Sequence, residues 1–109
     1  MISSVISTAA SGMAAQQKRL EAIASNVANV DTADYRRKEV DMVSTGSGVR
    51  AVVSEGPAGE GVDILTEVID MIGTKMAYEA NAAVMETGMD MWDALMSALD
   101  PKDRDERWG

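Results

Sequence analysis

Ser11-Gly12-Met13-Ala14-Ala15-Gln16-Gln17-Lys18-Arg19-Leu20-Glu21-Ala22-Ile23-Ala24-Ser25-Asn26-Val27-Ala28-Asn29-Val30-Asp31-Thr32-Ala33-Asp34-Tyr35-Arg36 begins with a helical period and ends as a turn. Taken with the residues before it, larger side chains recur at Ile2, Ile6, Ala9, Met13, Gln16, Leu20, Ile23, Val27 and Val30, in steps of four and three. A seven-residue repeat held over about four heptads is the pattern of a helix that winds around a partner. Gln16 is the one polar member of this seam. From Asn26 to Thr32 the short polar side chains of Asn, Asp and Thr compete for the backbone's hydrogen bonds and end the helix. The helix is predicted to start near Ser3 or Ser4, either of which can cap it, and to end near Asn29. Gly12 lies inside it at a cost of ~1 kcal/mol relative to alanine. Either it is a tolerated small residue or a neighbouring helix comes close there.

Beyond this stretch, residues 31–61 lack a helical period. Val40, Met42, Val49, Ala51 and Val53 flank Ser44-Thr45-Gly46-Ser47-Gly48, which predicts a short β-hairpin with a flexible tip. Arg36-Arg37-Lys38 reads as a solvated basic triplet, with an acidic partner face as the other reading. Glu55-Gly56-Pro57-Ala58-Gly59-Glu60-Gly61 stops any regular element and serves as a linker. A second helix is predicted from Asp63, a good N-cap, to Leu99, where Asp100-Pro101 ends it. At ~1.5 Å per residue it would be roughly 55 Å long, more than a small core requires.

This second helix carries two apolar stripes. Leu65, Ile69, Ile72 and Met76 form one, and Tyr78, Ala82, Met85, Met89, Trp92, Met96 and Leu99 form the other. At ~100° per residue they point about half a turn apart. One straight helix cannot cover both. Unless the second helix bends or the hairpin covers one half, one stripe is expected on the first helix and the other on a different subunit. Glu86, Asp90, Asp93 and Asp100 share a side of the second half and read as a solvated ridge.

The fold class predicted is therefore mainly α. A helical unit over 1–30 and 62–100 pairs as a coiled coil, with a hairpin and linker insert over 31–61. A mixed-charge tail over 101–109 reads as disordered and includes an unexplained Trp108. A chain of 109 residues with two such helices has little left for a deep core, so apolar surface must be buried against something else. Nine Met and no Phe point to adaptable contact surfaces.

Composition narrows the function. There is no His and no Cys, which removes the commonest general base, the thiol nucleophile and the usual transition-metal ligands. The net charge is −8, and residues 62–100 hold only Lys75 against eight acids. That disfavours a nucleic-acid partner, which needs a basic face. No run approaches the ~18 apolar residues of a membrane span, and Lys18 and Arg19 alone are too few to hold the first helix on anionic lipid. The opening Met1-Ile2-Ser3-Ser4-Val5-Ile6-Ser7 has no basic segment and no continuous apolar run, so no cleaved signal peptide is expected. Asp31, Asp34, Glu39 and Asp41 offer carboxylates, but no base, nucleophile or phosphate loop accompanies them in a recognisable pattern. No enzyme and no cofactor are expected.

Ser11-Gly12-Met13, Gln16-Gln17, Leu20, Ile23-Ala24, Asn26, Ala28-Asn29-Val30, Thr32 and Tyr35-Arg36 resemble the N-terminal signature of the flagellar axial family, the rod, hook and hook-associated proteins. Val62-Asp63-Ile64-Leu65-Thr66-Glu67-Val68-Ile69-Asp70-Met71-Ile72 is similar to the family's second signature, N-V-D-L-x-x-E followed by apolar positions. Ala77-Tyr78-Glu79-Ala80-Asn81 is similar to its [RA]-Y-[EQ]-A-N core, and Thr87, Met91 and Leu95 fall where the family has its T, M and closing Leu. The short middle is most like proximal-rod subunits of the FlgC kind. Three departures stand out: Asp34 where the turn usually has Gly, a middle short even for such a subunit, and a charged tail.

The resemblance implies a structural subunit of the basal-body rod. It implies export by the flagellar type III apparatus without signal cleavage, and assembly in the periplasm with itself and other rod subunits through the paired terminal helices. The subunit-packing residues expected are Met13, Leu20, Ile23, Asn26, Val27 and Asn29 on the first helix. On the second they are Leu65, Ile69, Ile72, Met76, Tyr78, Asn81, Met85, Met89 and Trp92. The resemblance makes Tyr78, Glu79 and Asn81 buried polar contacts between subunits. The alternative is a free-standing helical-hairpin adaptor or chaperone-like protein that holds an amphipathic helix in a Met-rich groove. An adaptor would be folded and discrete alone, whereas a rod subunit would self-associate or have mobile ends.

Overall fold

Four elements follow one another: α1 (Ile2–Ala28), β1 (Lys38–Ser44), β2 (Val49–Glu55) and α2 (Ile64–Leu99). The computed structural model describes residues 1–100, which span 74 × 25 × 14 Å. Two long helices with a short antiparallel hairpin between them are the architecture expected. The charged tail and Trp108 lie outside the described residues.

The helix ends follow local chemistry. α2 begins behind Asp63, whose Oδ1 accepts the Leu65 amide at 3.1 Å while Oδ2 accepts the Thr66 hydroxyl at 3.1 Å. This satisfies donors that an uncapped first turn would leave open. α1 instead starts behind Met1 with no side-chain cap, earlier than Ser3 or Ser4 would place it. It stops at Asn29, whose side-chain amide donates to the Ser25 carbonyl at 2.9 Å.

The helices run antiparallel. Ile6 lies against Gly88, Gly12 against Asn81, and Asn26 against Glu67. On α2 the positions facing α1 are Glu67, Thr74, Asn81 and Gly88, spaced by seven, and all are polar or glycine. On α1 the buried residues are Ala9, Gly12, Ala15, Ala22, Ile23 and Asn26. The predicted seven-residue period holds, but its phase is shifted. Leu20 of the expected seam is 42% exposed, and Met13 and Val27 are half-buried. The reason is steric. Small residues let the two backbones approach, and a Cβ at Gly12 would stand 2.7 Å from the Asn81 side chain. The close-approach reading of Gly12 is therefore the one the structure supports. Gly12→Val is expected to cost about 1–3 kcal/mol through overpacking. Gly73→Ala, where nothing among the described residues lies within 4 Å, is expected to gain up to about 1 kcal/mol from helix propensity. Thermal unfolding of the two variants measures the contrast.

The hairpin packs on α1 and, among the described residues, not on α2. Its register pairs Lys38 with Glu55 through to Ser44 with Val49, and Met42 sits opposite buried Ala51. The tip is tied to α1 by the serine before Gly12. Ser11 Oγ accepts the Val49 amide at 3.1 Å and donates to the Thr8 carbonyl at 2.7 Å, while the Thr8 hydroxyl donates to the Ser47 carbonyl at 3.0 Å. A side chain at Gly48 would overlap Ser11. Neighbouring Ser11 and Gly12 thus serve different faces of α1, the first the hairpin and the second α2.

A buried polar cluster joins α1, the turn, β1 and α2. Asn26, 1% exposed, donates from Nδ2 to the Lys38 carbonyl at 3.0 Å and to Glu67 Oε1 at 3.2 Å. Its Oδ1 accepts the Lys38 amide at 2.7 Å and the Tyr35 hydroxyl at 2.9 Å. All four hydrogen bonds available to an asparagine side chain are made. Glu67 is fully buried, and its Oε1 also accepts from Arg37 Nε. Arg37 reaches on to Asp70 Oδ2 at 3.4 Å. The hydrogen bond to Glu67 raises the Arg37 pKa above its ordinary value, with burial opposing it. The solvated reading of Arg36-Arg37-Lys38 is thereby corrected at Arg37, while Arg36 stays exposed. Arg37 compensates a buried carboxylate of its own chain, and Arg36 donates to the Gly56 carbonyl at 2.8 Å. In the turn before it, Asp34, where the resemblance expects glycine, holds φ +62°, the left-handed conformation that glycine adopts freely.

Candidate assembly surface

Because polar and small residues fill the seam between the helices, the large apolar side chains of α2 are left outside it. Leu65, Ile69, Ile72 and Met76 stand 56–68% exposed on the side of α2 turned away from α1. Four apolar residues over three turns make a continuous ridge of a kind that soluble monomers seldom present. The expectation that one stripe of α2 packs on α1 is corrected, since neither stripe forms the seam. In the second stripe Ala82 and Met85 are half-buried, while Tyr78, Met89, Trp92, Met96 and Leu99 are exposed.

The second stripe flanks the joint between the helices and meets there the displaced stripe of α1. The meeting forms a trough of about 480 Å³, lined by Gln16, Gln17 and Leu20 from α1 and by Met71, Thr74, Lys75 and Tyr78 from α2. The hairpin lies on another side of α1 and leaves this trough open. A second apolar depression, about 340 Å³, lies at the N-terminal end of α1, where Met1, Ile2 and Val5 meet Val84, Gly88 and Met91. Past this point α2 continues without α1 beside it, with Trp92, Leu95, Met96 and Leu99 41–60% exposed.

The expected packing residues therefore fall into separate environments. Leu65, Ile69, Ile72 and Met76 make the ridge. Leu20 and Tyr78 border the trough, and Met89 and Trp92 are exposed further along α2. Met13, Val27, Asn29 and Met85 are half-buried. Ile23 and Asn26 are enclosed within the chain, where Asn26 has its full set of partners, and Asn81 faces Gly12. Glu79 is exposed and lies 3.9 Å from Lys75. The structure adds Tyr35, Arg37, Glu67 and Thr74, which no periodicity of large apolar residues could find. Tyr35 and Glu67 had a signal, because they occupy the Tyr and the Glu of the two resembling signatures.

No helix among the described residues is long and apolar enough to cross a membrane.

Comparison with known proteins places both helices. Residues 6–36 match the family model of flagella basal body rod proteins, and residues 58–98 match that of the C-terminal part of flagellar basal body rod FlgEFG proteins. The chain is also 26% identical, over 144 residues, to flagellar basal-body rod protein FlgC of Bacillus subtilis (strain 168), with 87% of this chain and 94% of that protein covered. An alignment longer than the 109 residues of this chain means that the relative has residues without a counterpart here. Residues 37–57, between the two family matches, contain the hairpin.

Proposed function

We infer the role of this chain from one premise: it belongs to the flagellar basal-body rod protein family. It is a structural rod subunit of the flagellar basal body, in a family of structural proteins and not of enzymes. The finer reading is that it polymerises through α1 and α2, with copies of itself and with other rod subunits. It reaches the periplasmic part of the rod through the flagellar export apparatus, without a cleaved signal peptide. The helical unit over 1–30 and 62–100 makes the contacts along the rod, and the insert over 31–61 covers the joints between neighbours.

One observation carries this reading. Leu65, Ile69, Ile72 and Met76 are exposed on the face of α2 opposite the hairpin-bearing α1. Burying such side chains is worth roughly 1.5–3 kcal/mol each, so leaving four in water is costly unless another chain covers them. Packing between subunits uses the exposed members of the set: Leu65, Ile69, Ile72 and Met76 on one side, Leu20, Tyr78, Met89 and Trp92 on the other. Met13, Val27, Asn29 and Met85 border them.

Fractionation of a tagged copy in its own host tests the reading. Tag in detergent-stripped basal bodies, lost when the export gate is deleted, is the expected result. Tag confined to the soluble cytoplasm of a host with intact flagella would overturn it and favour the adaptor.

A further inference from the structure

We propose that the charged segment beyond α2 folds back along that helix and seats Trp108 in the apolar depression at the N-terminal end of α1, as a strap within one chain. The inference does not rest on the rod reading. It joins a tryptophan and a set of bases in the sequence to a cavity and a set of unpaired acids on α2.

Reach selects the cavity. Trp108 stands eight residues beyond Asp100. An extended chain of that length spans at most about 26–29 Å. Back along α2, at ~1.5 Å per residue, Met91 lies about 14 Å, Gly88 about 18 Å and Val84 about 24 Å from Asp100. These three line the depression. Tyr78 in the trough lies about 33 Å back and Met76, the nearest residue of the ridge, about 36 Å, so both are out of range.

The chemistry of the cavity suits an indole. It measures about 340 Å³ and is lined by Ile2 and Val5 of α1 and by Val84, Thr87, Gly88 and Met91 of α2. A tryptophan side chain is apolar over most of its surface and carries one N–H that needs an acceptor. Thr87 supplies a hydroxyl for it, and a methionine thioether such as that of Met91 makes favourable contact with an aromatic ring.

Charge guides the path. Glu86, Asp90 and Asp93 have no ion-pair partner among the described residues, and α2 holds no base beyond Lys75. The segment after Asp100 supplies Lys102, Arg104 and Arg107. Glu86 and Asp90 come three residues after Ala83 and Thr87 of the lining, which puts them on its rim. An extended chain turns alternate side chains to one side. Lys102, Arg104 and Trp108 then share the side laid against α2, while Asp103 and Asp105 face away; Glu106 is the one acid on the inner side. Seated this way, the strap covers apolar surface where α2 runs past α1, and it must leave if a neighbouring chain takes that place.

Trp92→Phe in the full chain leaves Trp108 as its one tryptophan. Its emission is expected to lie to the blue of free tryptophan, with acrylamide quenching several-fold weaker, and both should be independent of chain concentration. Val84→Glu and Met91→Glu, each at a site about half exposed, are each expected to return the emission to that of free tryptophan, with the helices kept by circular dichroism. Should one of the two lose its helices, the other decides. Emission of free tryptophan in the Trp92→Phe chain itself would overturn the proposal. A blue shift that the folded Glu variant leaves in place would overturn it by putting Trp108 elsewhere. A blue shift that grows with concentration would overturn it by putting Trp108 on a second copy.

Discussion

Arg37→Ala is expected to lower the stability of the chain by about 3–5 kcal/mol, a large part of what a small domain has. The loss does not come from the arginine's own contacts so much as from what they leave behind. Glu67 is 0% exposed, and its Oε2 already lacks a partner among the described residues. Without Arg37, its Oε1 keeps only the Asn26 amide. A carboxylate in that position must stay charged without compensation or take up a proton, and either is costly. Arg37→Lys should fall between wild type and alanine, because an ammonium cannot span Glu67 and Asp70 with the fork that a guanidinium uses. The decisive comparison is the double variant Arg37→Ala/Glu67→Gln. If the buried charge causes the loss, removing it should recover part of the stability lost in Arg37→Ala, as read by urea unfolding. A double variant that is additively worse would show that the guanidinium acts through its packing.

This cluster also marks where reading the sequence stopped. The period of seven, the two helices, the Asp63 cap and the hairpin were legible because each is set by neighbours within a few positions. The phase of the seam was not. Large apolar residues in α1 put Leu20 in the seam, but Asn26 and Glu67 must be buried together to satisfy each other, and Gly12 and Gly88 must face the partner helix to let it approach. Those constraints link residues 41 to 82 positions apart, and no local pattern reveals them. Arg37 illustrates the same limit. Within Arg36-Arg37-Lys38 nothing distinguishes it, and its partners Glu67 and Asp70 lie on the far helix. The turn was legible only in part: the resemblance expects glycine at Asp34, and the structure shows an aspartate there in the left-handed conformation that favours glycine. For the assembly surface, the apolar stripes were visible as stripes, but which of them faced inward was decided by the polar seam.

That decision gives the second large effect. Ile69→Asp/Ile72→Asp should leave the isolated chain folded, with unfolding shifted by no more than about 0.5 kcal/mol, because both side chains are more than half exposed. Incorporation into basal bodies should be lost. If each isoleucine contributes roughly 1.5–3 kcal/mol of apolar burial at a subunit contact, removing both weakens that contact by more than about a hundredfold before the cost of burying two carboxylates is counted. In a polymer the same contact recurs at every step, so the defect compounds along the rod. Leu20→Asp should act at the opposite side of the contact with a smaller effect, since Leu20 is 42% exposed and one of several residues in the trough. The measurement is quantitative immunoblotting of basal bodies beside thermal unfolding of the purified variants. Normal incorporation of the double aspartate variant would mean that the ridge faces solvent in the assembled rod, and the exposed stripe would then need another explanation. Loss of incorporation together with loss of folding would place the ridge in the chain's own stability, against the exposure seen here. Only a folded chain that fails to enter the rod fits a surface whose partner is another molecule.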